Sequence, residues 1–544
     1  MANLQEKISK LFPKATIEPD GSGIMQITID EPNLHELAKT LRDDPDLGFD
    51  FLVTIVGMDW VESLGCIYYL MSTRHNNEMC SVKVAVADRE KPYIHSVADL
   101  WRIAEIFERE VYDFFGIIFV NNPDMRRLFL SIDWKGFPLR KDYNEDPELN
   151  PMTIASERQS DLTDVYIEKD GEIIKTEREI FHKDDFVVNI GPQHPATHGV
   201  LRFRTAVDGE EIKKIDVYMG YIHRGVEKLC ETLTYPQTLH FMDRLDYFSG
   251  QIYHHGLCLC YEKAAGIEVS RRAQVIRVMM DELSRIASHC LFIGTYCMDL
   301  GATTMLFYTL RVREQILDIF EKNCGARMTF NYACIGGVMQ DILPDFADDV
   351  KKLLKVLPAN IKEYNKIFTG NVIARNRMEG VGVISRDDCI SYGVTGPSGR
   401  ASGWACDVRK THPYSLYSQL DFEQVVMEEG DSMARFKVRM KEMEESAKII
   451  EQLIDNLPEG DICAKVPKVL KLPKGSWWQM IEGCRGLFGV YIESDGGTSP
   501  YRLKIAPPCL PLAAAVDHMT AGNKIADLIT IGGSLDYIVP DMDR

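Results

Sequence analysis

Five stretches between residues 235 and 457 repeat apolar side chains at helical spacing, and no other feature restricts the fold as much. They cover roughly 235–265, 271–299, 303–323, 345–368 and 422–457. In the second, Val275, Val278, Met279, Leu283, Ile286 and Ala287 fall at i, i+3/i+4 and line one helical face. Long amphipathic helices with short links bury these stripes against one another, which predicts a helix-bundle core. Strand patterns border the bundle. They lie at 186–190, 200–205 and 211–218 before it, followed by a helix at 221–231, and at 484–492 and 501–505 after it.

The first 143 residues read differently. Short strand-like runs at 15–17, 24–29, 51–57, 65–71 and 80–87 alternate with helical patterns at 4–11, 33–42 and 99–107. This is an α+β unit, a small and mostly antiparallel sheet with helices on one side. Residues 144–185 are polar and lack apolar periodicity, so they read as a linker. A chain of 544 residues exceeds one hydrophobic core, and the expected division is 1–143, 144–185 and 186–544.

The formal charge of -19, from 62 Lys plus Arg against 81 Asp plus Glu, repels polyphosphate and argues against nucleic acid. No apolar run reaches the length of a bilayer span, and residues 1–13 are charged and amphipathic rather than a secretory signal. The chain is therefore expected to be soluble by itself and to work at a membrane only through other subunits. None of the fourteen cysteines forms a C-x-x-C pair, so most read as reduced core filler.

Between the strands at 186–190 and 200–205 lies a loop rich in Gly, Pro and His, stiffened by Pro192, Pro195 and Gly199. It carries His194 and His198. A histidine on a rigid turn is either a proton donor near neutral pH or a turn residue bonded only to backbone. Three further places draw attention. Arg244 and Tyr247 stand i, i+3 on a predicted helix, and the phenol is either a donor to a carbonyl or a satisfied buried tyrosine. Asp299 ends an apolar run, as a helix-boundary cap (favoured by spacing alone) or as a partner that orients an imidazole. His254 and Cys258, i, i+4 beside His255 and Cys260, lack the second ligand pair that a metal site needs. In the N-terminal unit, Glu108, Arg109, Glu110, Tyr112 and Asp113 face later cations at Arg126, Arg127, Arg140 and Lys141. No nucleophile–base pairing is visible there, and ion pairs tying a loop to the unit are the preferred reading.

The segment E-R-E-V-Y-D-F-F-G-I from Glu108, with P-L-R-K-D-Y from Pro138, resembles the 30-kDa-type subunit of respiratory complex I, the C subunit of bacteria. From residue 186 onward, GPQHPATHGVLR, MDRLDY, RVMMDELSRIASH, the block 400–410, SDGGTSPYRLK and the final DR resemble its 49-kDa-type subunit, the D subunit of bacteria. In this order they resemble a fused C/D subunit of a bacterial NADH-quinone oxidoreductase. The resemblance implies a C-terminal fold like the large subunit of nickel–iron hydrogenases, which is also the rival function. Those enzymes hold nickel with two C-x-x-C pairs. Here residues 246–249 stand in place of the early pair, and of the late pair only Cys509 remains, with Leu512 at its mate. Nickel chemistry is therefore not expected.

The resemblance further implies a quinone substrate whose headgroup sits between this chain and an iron–sulfur partner, the B subunit, that carries the terminal cluster. No metal or flavin is expected in the chain itself. The headgroup ligands fall on His198 and Tyr247, with Asp299 paired to the histidine, and Arg244 near the partner's cluster. Other implied partners are the ferredoxin-like I subunit and the H and A membrane subunits, within a membrane arm that translocates ions. The implied place is the cytoplasmic face of the bacterial inner membrane, as a peripheral protein. One departure stands out: after Gly325–Ala326–Arg327, where many members carry a histidine, Thr329 occupies the region and cannot titrate.

Overall fold

The N-terminal sheet runs in the order Thr16–Pro19, Met25–Ile29, Met79–Val86, Leu64–Met71, Phe51–Asp59. Only the Met25–Ile29/Met79–Val86 pairing is parallel. These are the features of a computed structural model that describes residues 2–146, 148–150, 161–194 and 197–544. Every residue of Phe51–Asp59 and Leu64–Met71 is buried, so both faces of the sheet are covered. The Ala104–Phe115 helix crosses one of them, and Gly57 makes room: a Cβ there would sit 2.6 Å from the Phe115 ring. On the same strand the Gly57 carbonyl accepts from Arg502 Nε at 3.2 Å, and the Asp59 carbonyl accepts from the Tyr501 hydroxyl at 2.6 Å. The N-terminal sheet is thus bonded directly to the far end of the chain.

The predicted 99–107 helix is observed instead as Ala104–Phe115. Glu108, Glu110 and Asp113 on it are buried and hydrogen-bonded. Asp113 Oδ2 accepts from the backbone N–H groups of Leu128, Phe129 and Leu130, and Oδ1 accepts from Arg127. These bonds fasten the loop to the helix, the role expected of ion pairs there. Within 144–185, Leu162–Lys169 and Glu172–Glu179 pair into an antiparallel hairpin where a linker was expected. All of Glu172–Glu179 is exposed, so its sequence carries no buried alternation to detect.

At the centre of the C-terminal part stands the Arg271–Asp299 helix, capped by Ser270, whose hydroxyl accepts from Ala273 N. It packs against Gly250–Ala265, Thr304–Cys324 and Ser432–Ile454. The crossing with Thr304–Cys324 is close, since a Cβ on Gly294 would lie 2.3 Å from Thr309 Oγ1. Its buried charges are matched from neighbouring elements: Arg277 to Glu262, Asp281 to His255, Glu282 to Arg409, and His289 to Glu442.

Two of the predicted helices are shorter than their periodicity suggests. The 235–265 stretch breaks into Tyr235–Met242 and Gly250–Ala265. In the break, the Asp246 carboxylate accepts from Phe248 N and the Ser249 hydroxyl, a local bonding pattern that competes with the helix. The 422–457 stretch is helical only over Ser432–Ile454, because Gly430 is left-handed and Asp431 caps Ala434 N at 2.7 Å. In the tail, Gly475–Glu482, Leu487–Ser494 and Arg502–Ala506 form an antiparallel sheet. Among the described residues no helix is long and apolar enough to cross a membrane.

Candidate functional site

The loop that carries His198 hangs between Phe186–Ile190 and Arg202–Asp208, which pair antiparallel. Gly191, in the left-handed region, lets the strand ends close; a Cβ there would meet the Leu201 carbonyl at 2.1 Å. The Thr197 hydroxyl braces the loop, 2.7 Å from the His194 carbonyl and 2.8 Å from that of Gly199. His198 itself has φ 52, a strained angle that non-glycine residues hold mostly where the surroundings enforce it. Pro195 lies outside the described residues.

The Arg271–Asp299 helix ends at the carboxylate that meets this histidine. His198 Nε2 donates to Asp299 Oδ2 at 2.7 Å. Asp299 is therefore the imidazole's partner and not a cap, the role that spacing alone favoured. Both side chains line a cavity of about 210 Å³ together with Tyr247. Of the two loop histidines only His198 reaches it; His194 is exposed. Tyr247 comes from the 243–249 break, so it does not share a helical face with Arg244. Arg244 is exposed and donates to Asp243 Oδ1 and the His240 carbonyl, away from the cavity lining.

Burial raises the Tyr247 phenol above its ordinary pKa, opposed by the nearby Arg485 guanidinium. The hydroxyl thus stays protonated at neutral pH, and a fixed cation favours the phenolate if the proton leaves. The ring stands edge-on to Phe248 with centroids 4.3 Å apart.

The lining includes groups that sequence reading did not single out. Leu291, Phe292, Thr295 and Met298 come from the last turns of the central helix, and Asp536, Tyr537 and Ile538 from the final segment. Arg485 ties three walls together. It donates to Asp246 Oδ2 at 3.0 Å, next to Tyr247; to Ser288 Oγ at 2.6 Å, on the central helix; and to Asp536 Oδ1 at 3.1 Å. These partners hold it charged, well above its usual range. Gly533 allows the Ile525–Leu535 helix to close beside them, as a Cβ there would fall 2.8 Å from Tyr296.

The other histidine–cysteine group is structural. His255 bonds Asp281 at 2.6 Å and Ser415 at 3.1 Å, while burial pushes His254 down to about 4. Among the described residues no three His, Cys, Asp or Glu side chains converge as metal ligands.

Known proteins match the chain in both parts. The family described as "Respiratory-chain NADH dehydrogenase, 30 Kd subunit" matches residues 27–148, and the corresponding 49 Kd subunit family matches residues 299–544. The NADH-quinone oxidoreductase C/D subunit of Phocaeicola vulgatus is 53% identical over 521 residues, covering 95% of this chain and 99% of that protein. That of Bacteroides thetaiotaomicron is 53% identical over 524 residues, 94% of this chain and 98% of the relative. The NADH-quinone oxidoreductase D subunit of Clostridium beijerinckii, 44% identical over 363 residues, covers 67% of this chain and 98% of its own length. With such identity over nearly the whole length of two relatives, the chain belongs to the family of NADH-quinone oxidoreductase C/D subunits.

Proposed function

We propose that the cavity receives the headgroup of a quinone and that Tyr247 and His198 supply the two protons of its reduction. The reading rests on one observation: His198, Tyr247 and Asp299, from three different elements, line a single cavity. The chain is one subunit of a respiratory quinone oxidoreductase of the complex I type, active only within the complex. Two electrons arrive from an iron–sulfur cluster held by the partner B subunit. One proton goes to each carbonyl oxygen, one from the Tyr247 hydroxyl and one from His198. Because Nε2 is committed to Asp299, Nδ1 is the nitrogen that serves the substrate. Asp299 stabilises the imidazolium and helps it regain its proton. Arg244 is exposed within the 243–249 break, and a cation facing the partner's cluster would favour its reduced state.

Under this reading the chain divides into a 30-kDa-type unit (1–143), a connecting segment (144–185) and a 49-kDa-type unit (186–544) whose fold is related to hydrogenase large subunits. The ferredoxin-like I subunit and the H and A membrane subunits are its other neighbours. It sits peripherally on the cytoplasmic face of the inner membrane, and quinone reduction drives ion translocation in the membrane arm. The hydrogenase alternative is disfavoured by chemistry: of the four thiolates that two C-x-x-C pairs would supply to nickel, only Cys509 remains, with residues 246–249 lacking cysteine and Leu512 at the place of its mate.

The test is quinone reduction by the assembled complex carrying Tyr247→Phe or His198→Ala. Each should lose about 100-fold or more in rate, the usual scale for a positioned general acid. Unchanged rates would reduce the cavity to scaffolding. Elemental analysis for nickel in the same preparation decides the alternative.

A further inference from the structure

We infer that Glu110, in the N-terminal part of the chain, is a positioning residue for the cavity and acts through the segment 536–544. The inference rests on the quinone-site reading above. One wall of the cavity is Asp536, Tyr537 and Ile538. The segment continues into a short helix, Val539–Asp543, and Arg544. The bonds at the two ends of this segment help to fix the wall.

The near end is held by Cys509, whose Sγ accepts from Ile538 N at 3.2 Å, while Cys509 N donates to Asp541 Oδ2 at 3.2 Å. At the far end, the Asp543 carboxylate accepts from Gly220 N at 2.8 Å and Ile222 N at 3.1 Å. The Arg544 guanidinium bonds Glu110 Oε1 and, at 3.2 Å, Glu227 Oε1. Glu110 also accepts from Lys504, and Arg502 pairs with Glu227 at 2.7 Å. All five side chains are buried; Glu110 is 2% and Arg544 3% exposed. Three cations thus share two carboxylates, and Glu110 is the one contributed by the Ala104–Phe115 helix.

Removing the charge of Glu110 leaves Arg502, Lys504 and Arg544 crowded around Glu227 alone. A buried cation without its counter-ion is strongly disfavoured, so one group must give way, and Arg544 follows a five-residue helix whereas Arg502 and Lys504 are fixed on the sheet strand Arg502–Ala506. The outer anchor is then reduced to the Asp543 bonds with Gly220 N and Ile222 N, and the wall at 537–538 loosens. His198 feels the change, since Gly199 beside it packs on Val539 and its ring lies 6.3 Å from that of Tyr537. The affinity for quinone therefore falls with the loosened wall, and proton delivery from His198 falls to a smaller extent with it. The geometry also gives the two family signatures, the E-R-E of the N-terminal part and the final D-R, one shared purpose, since Glu110 and Arg544 touch.

The experiment uses the assembled complex with a short-chain quinone, comparing Glu110→Gln, Glu110→Asp and Arg544→Gln. NADH–ferricyanide activity, which bypasses the quinone, reports intact assembly and should not change. The expected result is a KM for quinone raised about tenfold in both Glu110→Gln and Arg544→Gln, with a kcat that falls far less than in His198→Ala. The double variant should be no worse than either single one, and Glu110→Asp should recover part of the loss. A clamp that merely joins the two parts of the chain would lower the yield of complex and leave KM unmoved. An unmoved KM in Glu110→Asp and Arg544→Gln complexes with normal ferricyanide activity overturns the inference, even if Glu110→Gln fails to assemble. A Tyr247→Phe complex run alongside separates the two levels. If it retains full quinone reduction the site itself is misread; if it is inactive while KM stays fixed, only the role of Glu110 fails.

Discussion

Replacing Asp299 by asparagine removes a charge from the site and almost nothing else. The amide keeps an oxygen that can accept from His198 Nε2, now 2.7 Å from Oδ2, so the imidazole should hold its place. The side chains of His198 and Asp299 are 19% and 13% exposed, which limits but does not abolish screening by water. Two full charges about 4 Å apart at an effective dielectric near 20 interact by about 4 kcal/mol, an upper bound for the imidazolium–carboxylate pair. A hydrogen bond to a charged group contributes about 1.5–3 kcal/mol net. Taking about 2 kcal/mol from that range for the charge-assisted bond that is lost, the rate of quinone reduction should fall roughly 30-fold. The KM for quinone should stay within about twofold, because the cavity walls are untouched. The assay is quinone-dependent NADH oxidation by the assembled complex, normalised to ferricyanide reduction. Asp299→Ala should be worse than Asp299→Asn, having lost orientation as well as charge. An Asp299→Asn complex that turns over within twofold of the parent would refute the argument, for the pair would then be a structural tie.

Gly533→Ala places a methyl 2.8 Å from the Tyr296 ring and 3.6 Å from His198 Nε2. Overpacking of this kind should cost about 1–3 kcal/mol in urea denaturation and slow quinone reduction by disturbing the histidine. Asp541 is raised from 3.8 to about 7, first by burial and then by Asp246, so the folded chain holds this proton more tightly than the unfolded one. Its contribution to stability is therefore complete below about pH 4 and lost as the pH rises through about 7, a linkage on the order of 4 kcal/mol. Asp541→Asn, which cannot ionise, should gain stability relative to the parent between pH 5 and pH 8; parallel urea midpoints across that range would contradict this.

Much of the helical core was legible because its signal is local. The apolar positions of the 271–299 stretch repeat with the helix period, and the observed Arg271–Asp299 helix has those bounds. The breaks were less legible, because they depend on side chains that bond their own backbone. Asp246 ends one periodic stretch with contacts to Phe248 and Ser249, and nothing in the apolar pattern announces it. The hairpin within 144–185 stayed invisible for the opposite reason: a strand exposed along its whole length has no buried face to leave a period.

The site divides along the same line. The rigid loop marked His194 and His198 alike and only the resemblance singled out His198, while by spacing alone Asp299 read as a cap; the fold joins the two across 101 residues. Arg485 left no trace in the sequence, since its meaning lies in three partners at Asp246, Ser288 and Asp536. A buried guanidinium that must satisfy donors in several directions is a poor stabiliser compared with an apolar side chain of its size. Its planar, five-donor geometry instead fixes the relative positions of everything it touches. Here those are the turn bearing Tyr247, the helix bearing Asp299 and the segment bearing Tyr537. The cost of burying Arg485 is thus the cost of holding a proton-donating phenol and an imidazole–carboxylate pair at one distance across a cavity, which apolar packing alone would leave free to drift.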